Sequence, residues 1–365
     1  MSQADPSEIS RLADATCNVL LDGLTDAFLL CDQDTLICYA NLAAKKMFPG
    51  RDLIGRSPQD LFPDSRFIEL IDACRSMGSS VRRRLVLPQQ LSPLGSLENR
   101  GENCWLIDLA TLTKKDHPEA RLRIMLRDLT AEHQSEQVRK DFVANASHEL
   151  RTPLAIIQGY LENLLEDGGI RDVAQAQRFL QIMEKHTDRV VRIIDDMLMI
   201  SRLESGEAAS LRSEPFEILS CVHDVIERLE HMIHTQEASV DTSSIDPQLL
   251  IKGDRFYWTQ ILFNLVENAL KQNPKVGLKV AITAEVKEGQ IMISVTDNGI
   301  GIPTAHLPFI FKRFYRVDIN HTNSAIKGTG LGLSIVKRAV EAHGGQICVS
   351  SMPLQETKFT ITLPS

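Results

Sequence analysis

The sequence predicts a multidomain α+β protein with three parts. The chain has 365 residues, more than the roughly 100 to 200 residues that one domain usually takes. Its hydrophobic pattern changes twice along the chain. Short apolar runs come first, then a segment whose apolar residues recur every three or four positions, and last a segment in which both patterns occur. We therefore expect domains at residues 10–130, 131–208 and 209–365.

The composition is that of a folded protein in a reducing compartment. The seven cysteines are odd in number and never spaced as CxxC, which favours neither zinc nor a set of disulfides. The net charge of -8 argues against a nucleic-acid partner, because phosphate backbones bind proteins with a basic excess. No run of about 18 apolar residues occurs, so we expect no membrane span and a cytoplasmic location, with any membrane association made through partners.

The first part carries strand patterns. Residues 27–31 and 35–39 predict two strands joined by the polar turn at 32–34, which indicates a hairpin. Later strands are predicted at 81–87, 104–109 and 122–126, with a polar loop at 88–102. This order, with YAN at 39–41 after the second strand and RDLT at 127–130 after the last, resembles a PAS domain. The resemblance implies a sensor domain of mixed helices and strands.

The second part predicts a helical hairpin. Two series of residues step alternately by four and three, as the seams of coiled coils do. The break Asp167-Gly168-Gly169 separates them. Because a hairpin cannot bury both seams alone, we expect a dimeric four-helix bundle made with a second copy of the chain. The seams are Val143, Ser147, Leu150, Leu154, Ile157, Leu161 and Leu164, and Phe179, Met183, His186, Val190, Ile193, Met197 and Ile200.

One histidine of this hairpin is a candidate nucleophile. His148 follows a seam position by one residue, so a rotation of about 100° turns it towards water. Thr152 and Asn145 share its face of the helix, and Glu149 is its neighbour in the chain. A neutral imidazole nitrogen can accept a phosphoryl group while a carboxylate orients the ring or takes its other proton. The alternative is an exposed histidine without a function.

Pro153 favours the functional interpretation of His148. A proline inside a helix removes a hydrogen bond and costs roughly 3 kcal/mol, so a purely structural helix gains nothing from it. We expect a local kink beside a reactive residue.

The third part mixes both patterns. Helices are predicted at 216–232, 256–271 and 330–344, and strands at 278–286, 290–296, 346–351 and 358–363, the last two forming a hairpin.

Two segments of this part carry polar groups that suit a nucleotide. Asn264, Asn268 and Lys271 share one helix face, where amide oxygens suit magnesium and a lysine can neutralise phosphate. A solvated polar face is the alternative. Asp297 begins DNGIGIP; Asn-Gly alone would predict a hairpin turn, but Pro303 fits a returning strand badly. A strand-end aspartate could instead accept a hydrogen bond from the exocyclic amine of adenine.

A third segment is rich in glycine. Gly328, Gly330 and Gly332 open a predicted helix, where each costs about 1 kcal/mol relative to alanine unless the backbone must approach something closely. Amides at a helix start bind anions. The segment GTGLGL has neither the GxGxxG spacing nor a GxxxxGK[ST] pattern, which excludes two common nucleotide sites.

These motifs together carry a family resemblance. FVANASHELRTPL at 142–154 resembles the phosphoacceptor box of the HisKA histidine kinases. The asparagine helix, the DNGIGIP loop, the aromatic segment FKRFYR at 311–316 and GTGLGL resemble, in this order, the N box, first glycine box, F box and second glycine box of the Bergerat-type ATPases, which are α/β sandwiches. The chain is identified as a member of the sensor histidine kinases, and residues 142–162 look most similar to the phosphate-regulon type.

The resemblance implies a reaction and its partners. His148 takes a phosphoryl group from ATP and passes it to an aspartate of a cognate response regulator. Glu149 assists as a base, and Thr152 positions water to remove phosphate from that regulator. In the phosphate-regulon type the PAS domain receives its input through contacts with an upstream protein partner.

The resemblance also assigns the nucleotide site. Asn268 coordinates Mg²⁺, Asn264 and Lys271 serve the metal and the phosphates, and Asp297 reads adenine. Gly299 and Gly301 shape the adenine pocket. A mobile lid at 304–327 closes over the phosphates, which Gly328, Gly330 and Gly332 allow. Arg316 contacts a phosphate.

Two departures from the family pattern leave alternatives open. Gln272 and Asn273 stand where the family carries an aromatic residue and then Ser or Thr, and MPLQE at 352–356 replaces a glycine-rich turn. One alternative is a catalytically weak pseudokinase scaffold. Another is a relative that hydrolyses ATP without phosphotransfer, which the phosphoacceptor box argues against.

Overall fold

The structure is a computed structural model that describes residues 18–88, 102–113, 120–166, 172–205, 211–273, 276–317 and 328–364. The predicted hairpin break at 167–169, most of the predicted loop at 88–102 and the later half of the predicted lid lie outside these ranges. The chain divides into two units, Met1–Asp141 and Phe142–Ser365. The domain boundaries at 130 and 208 stay predictions. Within the described ranges, no helix combines the length and the apolar character that crossing a membrane requires.

The first unit contains a five-stranded antiparallel sheet in the order β2-β1-β5-β4-β3. The five strands predicted from the sequence are confirmed to within a few residues, including the hairpin of the first two. Two helices, which the sequence had not located, stand between β2 and β3. The elements are β1 (Ala27–Cys31), β2 (Ile37–Ala40), α1 (Leu42–Met47), α2 (Ser65–Met77), β3 (Val81–Pro88), β4 (Glu102–Thr111) and β5 (Leu122–Asp128).

Asn41 shows how a polar residue fixes this unit. Its side chain is fully buried, and all of its hydrogen-bonding groups are used. Its oxygen accepts from the backbone N–H of Phe28 and Ala44, which caps α1, while its nitrogen donates to the carbonyls of Leu21 and Asp26. The apolar core beside it includes the rings of Phe62 and Trp105, which meet edge to face.

The helical hairpin is formed by α3 (Thr130–Leu165), which begins in the first unit, and α4 (Val173–Glu204). The helix α3 continues through Pro153, which is buried. Tyr160 and Phe179 pack against each other across the hairpin, with ring centroids 4.9 Å apart and the ring planes tilted by 58°. Ile193 and Ile200 of the predicted seams are buried in the single chain, whereas Val143, Leu154 and Leu161 are exposed.

The remaining residues form an α/β sandwich, hereafter the α/β part. Its main sheet has the order β11-β12-β10-β9-β7, with β7 parallel to β9 and the other pairs antiparallel; β6 and β8 form a separate pair. Its helices and this sheet share one apolar core. The elements are β6 (Glu214–Glu217), α5 (Ile218–Thr235), β7 (Ser239–Asp241), β8 (Leu250–Gly253), α6 (Arg255–Gln272), β9 (Lys279–Lys287), β10 (Gln290–Asp297), α7 (Gly332–Ala342), β11 (Gln346–Met352) and β12 (Glu356–Pro364).

Two predicted helix starts were placed too early. The helix predicted from residue 216 begins at Ile218, because Phe216 pairs with Ile251 on β8. The helix predicted from residue 330 begins at Gly332, because Gly330 has a left-handed backbone with φ of 73°. The strands β6, β7 and β8 were not predicted, since three or four residues are too few to show a period.

Candidate functional site

The predicted phosphoacceptor residues lie together on α3. His148 and Thr152 are both exposed, as the helical spacing predicted, and the Thr152 hydroxyl donates to the His148 backbone carbonyl across 3.3 Å. Pro153 has no N–H to donate to the carbonyl of Glu149, four residues before it. The imidazole of His148 is thus on an exposed helix face, next to the place where one backbone hydrogen bond of the helix cannot form.

Glu149 is held by two arginines from different elements. Its Oε2 atom accepts from Nη2 of Arg189 on α4 and from Nη2 of Arg316 in the α/β part, each across 2.9 Å. The three side chains are 26%, 28% and 27% exposed, so water screens these ion pairs only in part. Glu149, the predicted base, thus binds Arg316, the residue predicted to contact a phosphate.

A second contact joins α4 to the glycine-rich segment. The Thr329 hydroxyl donates to Oδ2 of Asp196 across 2.9 Å. Asp196 is buried, and burial raises the pKa of its carboxyl to about 6, although the Thr329 hydrogen bond and the charge of Arg192 act in the opposite direction. Leu331 and Ile335 pack against Ile200 beside it. The start of α7 is therefore seated on the hairpin.

Aromatic residues enlarge the contact between the α/β part and the hairpin. Phe314, the second phenylalanine of the segment FKRFYR at 311–316, has its ring centroid 5.8 Å from that of Phe142 of α3. The guanidinium of Arg313 lies over the Phe142 ring at 5.0 Å and pairs with Glu204. Phe311, the other phenylalanine, packs on Phe359 inside the α/β core.

The polar face predicted on α6 is present. Asn264, Asn268 and Lys271 are all half-buried. Nζ of Lys271 lies 2.7 Å from Oε1 of Glu267, which also faces Arg192 at 3.7 Å. The Nδ2 atom of Asn264 is buried and finds no hydrogen-bond partner among the described residues. An orphaned buried amide is costly, so this atom fits a site completed by a ligand.

Asp297 stands at the end of β10, as predicted. It is 6% exposed, and its Oδ1 atom accepts from the Gly299 N–H at 3.0 Å and from Asn273 Nδ2 at 3.1 Å. Burial raises the pKa of this carboxyl, and the two hydrogen bonds act against that rise. In the described residues both bonds reach Oδ1, so Oδ2 is left as the acceptor for a ligand.

The DNGIGIP loop is not a hairpin turn, as Pro303 had indicated. β10 pairs with β9 and β12, and the loop leads to a short 3-10 helix at Thr304–His306. Gly301 has φ of 70°, and a Cβ there would lie 2.4 Å from the Met352 carbonyl oxygen. Leu354 N–H donates to the Ile300 carbonyl at 2.7 Å. The MPLQE turn that departs from the family pattern thus supports this loop directly.

The second glycine segment makes close backbone contacts. Gly330 has φ of 73°, its carbonyl accepts from the Phe314 N–H at 2.8 Å, and a Cβ there would lie 2.8 Å from Phe314 Cα. A Cβ at Gly332 would lie 3.2 Å from Asn264 Oδ1, whereas Gly328 faces open space. The start of α7 has no side-chain cap, so its first amides suit an anion.

The donor set fits magnesium only together with a nucleotide. Within the described ranges, no three His, Cys, Asp or Glu residues gather as a metal site. An amide oxygen such as that of Asn268 is a suitable hard ligand, but one amide needs further oxygens from phosphates and water.

Four residues of this site were not predicted as functional. They are Arg189, Asp196, Thr329 and Asn273. Asp196 carried a signal, since it is a charged residue directly before a seam position, and Asn273 stood out as a departure from the family pattern. Arg189 carried none, because only the folding of the hairpin brings it to Glu149 across 40 positions.

Two family models match the chain. The model described as "His Kinase A (phospho-acceptor) domain" matches residues 138–206. The model described as "Histidine kinase-, DNA gyrase B-, and HSP90-like ATPase" matches residues 253–365. The first match contains the phosphoacceptor box, and the second contains the four motifs predicted to form the nucleotide site.

Characterised relatives resemble longer stretches. The phosphate regulon sensor protein PhoR of Pseudomonas aeruginosa is 31% identical over 361 residues, covering 96% of this chain and 74% of PhoR. The sensor histidine kinase WalK of Bacillus subtilis is 36% identical over 281 residues, covering 76% of this chain. The chain spans 45% of the length of that WalK.

One solved structure shows a similar fold over nearly the whole chain. It is the crystal structure of histidine kinase ThkA in complex with response regulator protein TrrA, with a TM-score of 0.50 and 21% sequence identity over 94% of this chain and 97% of that one.

Proposed function

Because this chain belongs to the sensor histidine kinases, we propose that it transfers the γ-phosphoryl group of ATP to His148 and then to an aspartate of a response regulator. The observation that carries the proposal is the exposed His148, whose neighbour Glu149 is reached by Arg316 of the α/β part. The α/β part also holds the residues that suit a nucleotide.

The adenine and the phosphates of the nucleotide have candidate residues in the α/β part. The free Oδ2 of Asp297 accepts the adenine amine, and the amides at the start of α7 face phosphate oxygens. Asn268 contributes an oxygen to Mg²⁺, with Asn264 and Lys271 beside it. The magnesium neutralises phosphate charge when it is bound.

At the hairpin, His148 presents a neutral ring nitrogen as the nucleophile. A P–N bond forms as the bond between the γ-phosphorus and the bridging oxygen breaks, and ADP leaves. Glu149 holds the proton at the other ring nitrogen and stabilises the positive charge that develops on the ring. In the described arrangement that carboxylate is occupied by two guanidiniums, so Glu149 must first be released from Arg316.

We also propose that Thr152 gives the protein a phosphatase activity towards its regulator. Its hydroxyl is exposed on the same face as His148, where it can orient a water molecule towards a phosphorylated aspartate docked there.

A second copy of the chain is the proposed partner of the hairpin. Large apolar side chains of both helices are exposed in the single chain, and burying them against a copy would complete a four-helix bundle. They are Val143, Leu154, Leu161, Leu180, Val191, Ile194 and Leu198.

For the first unit we propose a PAS-type sensor of the phosphate-regulon kind. The five-stranded sheet supports a sensor domain, and the relationship to PhoR extends through this unit. Its input would then be contact with an upstream protein partner.

The proposal is tested by radiolabelling with [γ-³²P]ATP. The full chain should acquire acid-labile label, and His148→Ala should abolish it. His133→Ala, on the same helix, should label normally. Equal labelling of the His148→Ala variant would overturn the assignment. Absence of both the label and magnesium-dependent ATP binding would instead indicate a scaffold.

A further inference from the structure

Asn273 ties three elements of the nucleotide site together. It follows the last residue of α6, and its side chain is almost completely buried, with 3% exposed. Its Nδ2 atom donates to the Ala269 carbonyl at 2.7 Å and to Asp297 Oδ1 at 3.1 Å. Its Oδ1 atom accepts from the Ile300 N–H at 2.6 Å. The amide thus joins the end of a helix, the end of a strand and the glycine loop.

The loop is shaped around this amide. A Cβ on Gly299 would lie 1.9 Å from Asn273 Oδ1, 2.1 Å from its Cγ and 2.2 Å from its Nδ2. Atoms cannot approach so closely, so any side chain at 299 would displace the amide. The shorter serine or threonine of the family pattern could not reach both Asp297 and Ile300 in this way. Gly299 and Asn273 therefore fit as a pair.

The amide also decides which oxygen of Asp297 remains available. Gly299 N–H and Asn273 Nδ2 both donate to Oδ1. Two donors on one oxygen fix the rotation of the carboxylate and favour its charged form against the effect of burial. The Oδ2 atom is thereby kept as the acceptor for a ligand.

We propose that Asn273 is a positioning residue that aims Asp297 at the 6-amino group of adenine and so sets the preference for adenine nucleotides. Asn273 acts through Asp297 and need not touch the nucleotide. This inference rests on the proposed role of Asp297 in reading adenine.

The test compares two nucleotides on the full chain by calorimetry. One is ATP; the other is purine riboside triphosphate, which lacks the 6-amino group. In the unmodified chain ATP should bind more tightly. Asn273→Ala should weaken ATP binding roughly tenfold, since a misaimed carboxylate loses a charge-assisted hydrogen bond, while affinity for the analogue stays within about twofold. Gln272→Ala, at the exposed neighbouring position, should change neither affinity.

Asn273→Ser provides a second variant in case the alanine variant does not fold. Its hydroxyl can donate to Asp297 but leaves the Ile300 N–H unpaired, so we expect an intermediate loss for ATP and little for the analogue. An equal loss for both nucleotides would show a merely structural role and overturn the inference, as would unchanged discrimination. If the unmodified chain does not distinguish the nucleotides, the proposed role of Asp297 fails as well, whereas His148 labelling is judged separately.

Discussion

Arg316 donates to Glu149 across 2.9 Å, although 167 positions separate them in the chain. The carboxylate next to the phosphoacceptor is therefore bound by a residue of the proposed nucleotide site.

Replacing Glu149 should separate its catalytic role from nucleotide binding. In Glu149→Gln the side chain can no longer take the imidazole proton, so we expect initial autophosphorylation to slow by roughly 100-fold or more. ATP affinity should not fall, because Glu149 is not expected to touch ATP and its replacement frees Arg316. Initial rates of labelling and calorimetry measure the two quantities. Glu184→Gln, exposed on α4, is the control; an unchanged labelling rate in Glu149→Gln would refute its role as a base.

The buried Asp196 should make stability depend on pH. Its pKa rises from the usual 3.8 to about 6, so the folded protein holds this proton more tightly than the unfolded chain does. The contribution of this group to the free energy of unfolding is fully present below its usual pKa and is lost as the pH rises through about 6. Asp196→Asn keeps an acceptor for Thr329 without a buried charge. It should raise the free energy of unfolding at pH about 7.5 by on the order of 2 kcal/mol.

That gain should shrink towards zero near pH 4, which denaturant titration at several pH values will measure. Gln177→Ala, at an exposed position of the same helix, should show no such trend. A variant at 196 that is less stable than the unmodified chain at neutral pH would contradict the prediction.

Thr152→Ala should uncouple the two activities proposed for the α3 face. The rate at which label leaves the phosphorylated regulator should fall about tenfold or more, while autophosphorylation stays within about twofold. Both are read from label on the two proteins separated by electrophoresis. Parallel losses would mean that Thr152 supports the helix rather than the phosphatase reaction.

Gly301 should tolerate no side chain. Gly301→Ala places a Cβ at φ of 70° and 2.4 Å from the Met352 carbonyl oxygen, so we expect a loss of about 2 kcal/mol or more of stability and weaker ATP binding. Gly159→Ala is the contrast, because it faces open space within α3 and should stabilise the helix by up to about 1 kcal/mol. Thermal unfolding measures the stability of both variants, and calorimetry measures their ATP binding. Similar effects of the two variants would contradict the expectation that Gly301 tolerates no side chain.

The exposed apolar side chains of the hairpin should hold the dimer together. Leu154→Asp and Leu198→Asp each place a charge in the proposed interface, so the full chain should pass from dimer to monomer. Sedimentation equilibrium measures this. Leu250→Asp, an exposed leucine of the α/β part, should remain dimeric, and a monomeric unmodified chain would refute the proposal.

Local signals predicted where several residues of the candidate site lie in the fold. The position of His148 one step beyond a seam residue predicted its exposure, and Pro303 predicted that the DNGIGIP loop would not turn back as a hairpin. Both inferences depend on backbone rules that act within a few residues.

Contacts between distant segments could not be predicted. Nothing in the spacing of Glu149, Arg189 and Arg316 shows that they converge, because that depends on how the hairpin closes and where the α/β part is seated. Asn273 was interpreted as a weakness of the nucleotide site, since a motif records residue types and not the hydrogen bonds they make. Its contacts with Asp297 and Ile300 became visible only in the fold.

The guanidinium of Arg316 has one further consequence. If it serves phosphate oxygens, as the family pattern implies, it cannot at the same time serve Glu149. Nucleotide binding and the packing of the α/β part on the hairpin then compete for the Arg316 guanidinium, and their free energies are linked. By reciprocity, a change that strengthens the packing of the α/β part on the hairpin must weaken nucleotide binding by the same factor. A signal that only twists the two helices could in this way regulate ATP affinity without touching the pocket.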